Sequence, residues 1–121
     1  MPDEYKIRYY INSQTGQEPL VEYVESLEEK SKAKIKKYVE YLRLCEGYLD
    51  EPYSRHITGK IRELRVDFSQ NHYRIFYFTF IQKTIVLLHG FTKNTDKTPL
   101  NEINRALENF NDTINNPQLY E

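Results

Sequence analysis

The feature that most constrains this fold is a change in hydrophobic period near Glu51-Pro52. Before it, apolar residues recur every three or four positions, in two runs: Leu20, Val24 and Leu27, then Ile35, Tyr38, Leu42 and Cys45. After it they alternate with polar ones: Leu64, Val66 and Phe68 between Glu63, Arg65 and Asp67. A period near 3.6 indicates helix and a period of 2 indicates strand. The chain is therefore predicted to place helices ahead of a run of strands.

The first half predicts one strand followed by two helices. Residues 5–12 are rich in β-formers and favour a strand. Pro19 suits the first turn of a helix. The second helix is predicted to begin near Ser31 and end at Gly47, with Cys45 in the core. A short link between the two indicates an αα-hairpin, which needs a sheet to cover.

Three runs that favour strands follow, at residues 61–68, 72–80 and 84–91, with turns at 70–71 and 82–83. The third run is apolar on both faces, as a central strand should be. Strands joined by such short turns form an antiparallel meander.

The end of the chain predicts a third helix. Thr98 is expected as its N-cap and Pro99 as its first residue. The Asn-rich tail from about residue 111 is expected to fray. The order is βααβββα, which predicts a single α+β domain over residues 1–121 with the helical hairpin on one sheet face.

Charge is distributed unevenly, although the net charge is only −1. Residues 53–98 hold eight Lys/Arg and three Asp/Glu, a balance of +5, and both flanks are acidic. A basic middle third can form a local anion site on a nearly neutral protein. A solvated basic face is the alternative explanation.

The predicted strands bring cations together. Arg65 and Arg74 lie on neighbouring strands, on the face opposite the hairpin, and Lys93 shares the parity of Ile85 and Leu87 just past its strand. Further cations are expected on the same surface: Arg55, Lys60, Arg62 and Lys97. Two guanidiniums at fixed positions can hold one phosphate bidentately. Alternatively, Arg65 pairs with Glu63 or Asp67, and Arg74 packs across a Tyr ring.

The histidines, the cysteine and the absence of known motifs limit which other kinds of site the chain could form. His89 is predicted to be a core residue and His72 a solvated turn residue, whereas His56 precedes the arginine strand and lies within reach of a phosphate. The chain has no P-loop, no GxGxxG and no metal-ligand spacing, so neither a metal nor a cofactor is expected. A lone Cys45, no leader segment and no membrane-length apolar run predict a cytoplasmic protein.

Four segments in order resemble the RelE/HigB superfamily of type II toxins, and most closely its phage-derived HigB-like branch. They are GKIRELRV at 59–66, HYRIFY at 72–77, IVLLHGFTK at 85–93 and KTPLNEI at 97–103. The resemblance spans roughly residues 5–112. It implies the RelE-like fold, an antitoxin partner, often of the helix-turn-helix type, and metal-independent cleavage of mRNA on the ribosome.

In that mechanism the ribose 2′-hydroxyl attacks the adjacent phosphate, and basic side chains stabilise the phosphorane. By motif, the resemblance assigns phosphate stabilisation to Arg65 and Arg74, and phosphate binding or proton donation to Lys93. The residues expected to contact RNA are Arg55, His56, Lys60, Arg62 and Lys97. Asn94 stands where the family usually has a second cation, for which Lys97 or His56 would substitute.

The sequence is also compatible with two other functions. One is a toxin on the same fold without nuclease chemistry, of the gyrase-poisoning ParE type. The other is a catalytically degenerate module that binds RNA or an antitoxin-like partner. The converging arginines favour the nuclease over the gyrase-poisoning toxin. Asn94, at a usually cationic position, leaves the degenerate binding module possible.

Overall fold

The framework is a mixed five-stranded sheet, in a computed structural model that describes residues 4–121. Its strands are β1 (Lys6–Tyr9), β2 (Ser54–Thr58), β3 (Ile61–Phe68), β4 (Asn71–Thr79) and β5 (Thr84–Lys93). Their order is β1-β5-β4-β3-β2, with β1 parallel to β5 and the other pairs antiparallel. The helices are α1 (Pro19–Glu25), α2 (Glu29–Leu44) and α3 (Leu100–Ile114).

Helices cover both faces of the sheet. Leu20 of α1 and Leu42 of α2 pack in one buried cluster with Leu64, Ile75 and Leu87 of the sheet. On the other face, α3 contributes to a second cluster: Ala106 with Phe76, Phe78, Val86 and Leu88. The predicted α+β class and the hairpin on one sheet face are confirmed, and the architecture is that of a RelE-like fold.

The strand β2 was missed, because residues 54–58 were interpreted only as the approach to the next strand. It is an edge strand that pairs with β3, and Arg55 and His56 are exposed. An edge strand need not show apolar alternation, since much of its surface meets water. Gly59, at φ 53°, makes the turn into β3.

A β-bulge in β5 reverses the parity on which the placement of Lys93 was based. Phe76 pairs with His89 but Tyr77 pairs with Leu87, so one extra residue lies in β5 at this point. Leu87 therefore packs under the hairpin, whereas His89 stacks near Phe76 on the α3 face. The assumption that Lys93 shares a face with Ile85 and Leu87 was wrong; because of the bulge, Lys93 lies on the arginine face.

Two predictions at helix ends were also wrong. Leu100, not Pro99, is the first residue of α3, and Pro99 occupies the N-cap position. The Thr98 hydroxyl caps nothing and instead donates to Glu63 Oε2 at 3.1 Å. Cys45, predicted in the core, is the exposed C-cap of α2, since the helix ends before its apolar stripe does.

The C-terminal tail is ordered rather than frayed. The helix α3 continues to Ile114, and a 3-10 turn at Pro117–Tyr120 buries the Tyr120 ring completely. Its hydroxyl accepts a hydrogen bond from the Ile11 N–H at 2.9 Å and donates one to the Ile11 carbonyl at 3.2 Å. This long-range anchor was missed because composition indicates only that the segment is polar. Within residues 4–121, no helix is long and apolar enough to cross a membrane.

Candidate anion-binding site

The strand register gathers charged side chains in rows across β3, β4 and β5. Directly paired residues on antiparallel strands point to the same face. Arg65 pairs with Arg74, and in the next row Asp67 pairs with His72, which in turn pairs with Lys93. This face is opposite the helical hairpin, as predicted, and α3 covers only part of it. The two arginines and Lys93 therefore lie together.

Arg74 is buried, with only 3% of its side chain exposed. Its Nη1 donates to Asp67 Oδ1 at 2.8 Å and to the Tyr73 carbonyl at 3.0 Å. Its Nε is buried, and no described residue accepts a hydrogen bond from it. A buried guanidinium with donors to spare is suited to hold an oxyanion, because unmet donors are costly in a dry site.

The guanidinium of Arg65 lies next to a buried carboxylate. Glu63 is 1% exposed, and its Oε1 lies 3.9 Å from Arg65 Nε, which likewise has no hydrogen-bond acceptor among residues 4–121. The pairing of Arg65 with Glu63 matches one interpretation left open by the sequence. The contact is longer than a hydrogen bond, so it orients the guanidinium without saturating its donors.

These side chains line an open pocket of about 240 Å³ at the end of the sheet. Its lining residues are Arg65, Asp67, His72, Arg74, Lys93, Thr95 and Asp96. Burial opposes ionisation of Asp67, but hydrogen bonds from Arg74 and His72 outweigh it and hold the pKa of Asp67 below its ordinary value. The lining holds three cationic side chains, those of Arg65, Arg74 and Lys93, against two acidic ones, those of Asp67 and Asp96, so cationic side chains are in excess.

Beside this pocket, α3 contributes a carboxylate to the same face. Glu102 Oε1 lies 2.6 Å from His89 Nε2, and the His89 ring stacks on Phe76 and Phe91. His89 is half-buried and paired, so it is a satisfied residue at the edge of the core rather than one deep within it. It supports the face on which the cations lie.

The other predicted cations are spread around the molecule. Arg62 and His56 pair with each other in register on the hairpin face, where Arg62 lies over the Tyr48 ring and His56 bonds the Gly59 carbonyl. The expectation that Arg62 shares the arginine surface was wrong, because alternation puts it on the opposite face. His56, which was expected within reach of a phosphate, lies on that opposite face as well. Arg55 lies on the arginine face of the edge strand, Lys60 in the β2–β3 turn and Lys97 in the exposed loop before α3.

Sequence reasoning missed His72 and Asp67 as members of this site. The prediction placed the turn at 70–71 and took His72 as solvated. Counting outward from a turn at 70–71 pairs residue 67 with residue 74, whereas the turn lies at Ser69 and Gln70 and pairs residue 67 with residue 72. The predicted turn position was therefore wrong, although the shift of two residues in register keeps each side chain on its face. The pairing of His72 with Lys93 could not be predicted either, because it depends on the bulge in β5.

A RelE-like fold that carries a cationic pocket on its open sheet face defines the class to which this protein belongs, the toxin-like proteins of the RelE superfamily. Residues 22–111 match the family profile described as phage derived protein Gp49-like (DUF891), and the chain belongs to this family. A search of curated proteins finds no match to the chain.

Proposed function

We propose that this chain is the toxin of a type II toxin-antitoxin pair, in the HigB-like branch, and that it cleaves mRNA on the ribosome. The observation that carries the proposal is the direct pairing of Arg65 with Arg74, beside Lys93, around one open pocket. Cleavage by 2′-hydroxyl attack takes a phosphodiester through a phosphorane of higher negative charge. Cations fixed on strands stabilise that charge without reorganising, which is the largest single contribution in many enzymes.

The residues have distinct parts in this reaction. Arg65 and Arg74 bind the non-bridging oxygens of the scissile phosphate, and Lys93 binds the same group or protonates the leaving oxygen. Arg55 and Lys97, near the same face, are proposed to contact the flanking backbone, and Lys60 lies at its border. His56 and Arg62 face the other way and would contact RNA only if the strand wraps around the β2 edge. No step requires a metal or a cofactor.

The proposed partners follow from this site. The mRNA is the substrate and the ribosome presents it, which places the protein's action in the cytoplasm. An antitoxin, proposed to be of the helix-turn-helix type, would cover the cationic face and so block the pocket. Opposite charge favours that contact, because an acidic segment would pair with the same side chains.

The test is Arg74→Ala. Primer extension on an mRNA translated in the presence of the protein should show discrete cuts, which the variant makes about 10²–10³-fold more slowly. Arg105→Ala is the matched control, since Arg105 is 62% exposed on α3 and lines no part of the pocket. Cleavage by Arg74→Ala at the wild-type rate would contradict the proposal.

A second candidate is a binding module that has lost catalysis. Asn94 at a usually cationic position favours this candidate. The hydrogen bond that Arg74 already donates to Asp67 favours it as well. Induced expression that leaves both growth and mRNA ends unchanged would support it. The gyrase-poisoning alternative predicts DNA damage signalling without RNA cleavage.

A further inference from the structure

His72 has surroundings unlike those of a solvated turn residue. Its Nδ1 lies 3.0 Å from Asp67 Oδ1 across the strand pair, while half of the side chain, 52%, stays exposed. On its other side it is the register partner of Lys93, and Arg74 is its neighbour on the same strand face. The imidazole therefore lies at the rim of the pocket, between the cations to which the proposed function assigns the phosphate.

The partner of His72 determines which ring nitrogen carries the proton. Asp67 is ionised at neutral pH, because hydrogen bonds from Arg74 and His72 overcome burial and keep its pKa low. An ionised carboxylate only accepts hydrogen bonds, so His72 Nδ1 must donate. The neutral imidazole then has its lone pair on Nε2, which accepts no hydrogen bond from any residue within 4–121.

We propose that His72 is the general base of the cleavage reaction and that Asp67 is its positioning residue; this rests on the proposed function. Nε2 takes the proton of the ribose 2′-hydroxyl as that oxygen forms its bond to phosphorus. The bond from phosphorus to the 5′ oxygen breaks, and this oxygen takes a proton from the Lys93 ammonium. The products are a 2′,3′-cyclic phosphate and a 5′-hydroxyl, and solvent then restores both side chains.

Geometry supports this assignment over a structural role. A general base must come within hydrogen-bond reach of its proton, directly or through one water. Residues directly opposite on antiparallel strands have Cβ atoms about 5 Å apart. A phosphate held between Arg74 and Lys93 would therefore lie next to the His72 imidazole, within reach of its Nε2 directly or through one water. A residue that merely stabilised the hairpin would not need to face those two cations.

The charged groups facing His72 come from three strands and a loop. They are Asp67 and Arg65 of β3, Arg74 of β4, Lys93 of β5 and Asp96 of the loop before α3. Of these, Asp67 alone contacts the imidazole. Two further carboxylates lie on this face and are engaged elsewhere: Glu102 with His89, and Glu63 with Arg65 and Thr98.

The experiment measures single-turnover cleavage of mRNA on programmed ribosomes, at saturating protein, across a range of pH. His72→Gln should lower the rate about 10²-fold, within the usual range for loss of a general base, and remove the acidic limb of the profile. Binding to a programmed ribosome whose mRNA is 2′-deoxy at the cleaved nucleotide should be unchanged. Asn71→Ala is the matched control, since it is exposed, adjacent and on the opposite face.

Asp67→Asn tests the positioning role separately. Its amide can donate to Nδ1 and thereby move the ring proton to Nε2, so the rate should fall by at least about tenfold, as expected for a wrong tautomer. Full activity of Asp67→Asn would refute the tautomer argument.

The outcomes separate this inference from the proposed function. If wild type cleaves, Arg74→Ala shows its expected loss of rate, and His72→Gln keeps the wild-type rate or acidic limb, then the general-base assignment is overturned and the nuclease stands. Loss of ribosome binding in His72→Gln would also overturn it. If wild type produces no cuts at any pH, the proposed function itself fails.

Discussion

The anchoring of the C-terminal segment by Tyr120 leads to a quantitative prediction for Tyr120→Phe. The substitution keeps the buried ring and removes a hydroxyl that serves both backbone polar groups of Ile11, 109 positions away along the chain. Both groups then lose their partner in a region where Tyr120 is fully buried. The change isolates a pair of long-range hydrogen bonds from the packing of the ring.

The expected size follows from those two bonds. A buried polar group left without a partner costs about 1–3 kcal/mol. Because water partly reaches Ile11, we expect the loss of both hydrogen bonds to lower the free energy of unfolding by about 2 kcal/mol in total. With an unfolding entropy near 2.1 cal/mol/K per residue, a chain of 121 residues should lose about 8 °C in melting temperature. Tyr120→Ala, which also removes the ring, should cost about 3–5 kcal/mol.

Urea denaturation followed by circular dichroism measures both losses. The control is Tyr53→Phe, the same change at a side chain that is 49% exposed, which should alter the free energy of unfolding by less than about 0.5 kcal/mol. If Tyr120→Phe and Tyr53→Phe give equal midpoints, the tail is not anchored as described.

Two further predictions concern contacts between distant segments. Asp112 accepts hydrogen bonds from Ser13 and Tyr10, which outweigh burial and lower its pKa; Asp112→Asn should therefore lower the free energy of unfolding at pH 7. That difference is present in full above the ordinary carboxyl pKa and should shrink as the pH falls from there through the lowered folded value, which denaturation at a series of decreasing pH values would reveal. A Cβ at Gly90 would lie 2.5 Å from Leu20 Cδ1 and 3.2 Å from the Tyr23 ring, so Gly90→Ala should cost about 1–3 kcal/mol. A double-mutant cycle with Leu20→Ala measures that coupling, and strictly additive losses would contradict the steric explanation.

The arginine pair illustrates how far alternation alone predicts a site. The period-2 pattern of residues 61–68 places Arg65 opposite the hairpin whatever else the chain does, because successive side chains point to opposite faces. The direct pairing of Arg65 with Arg74 depends on the turn, which lies at Ser69 and Gln70 and not at residues 70–71 as predicted. Arg62, by the same alternation, belongs to the other face, although the prediction grouped it with the arginines.

What the sequence determined by itself was local: the types of the elements, their order, and the face on which each residue of a hairpin lies. These follow from spacing along a few residues, as in Arg65 and Arg74. The tertiary structure alone decided the face of Lys93, the edge strand β2, the neighbours of His72 and the burial of Tyr120. Each of these depends on contacts between segments far apart in the chain or on one extra residue in β5, which no local period records.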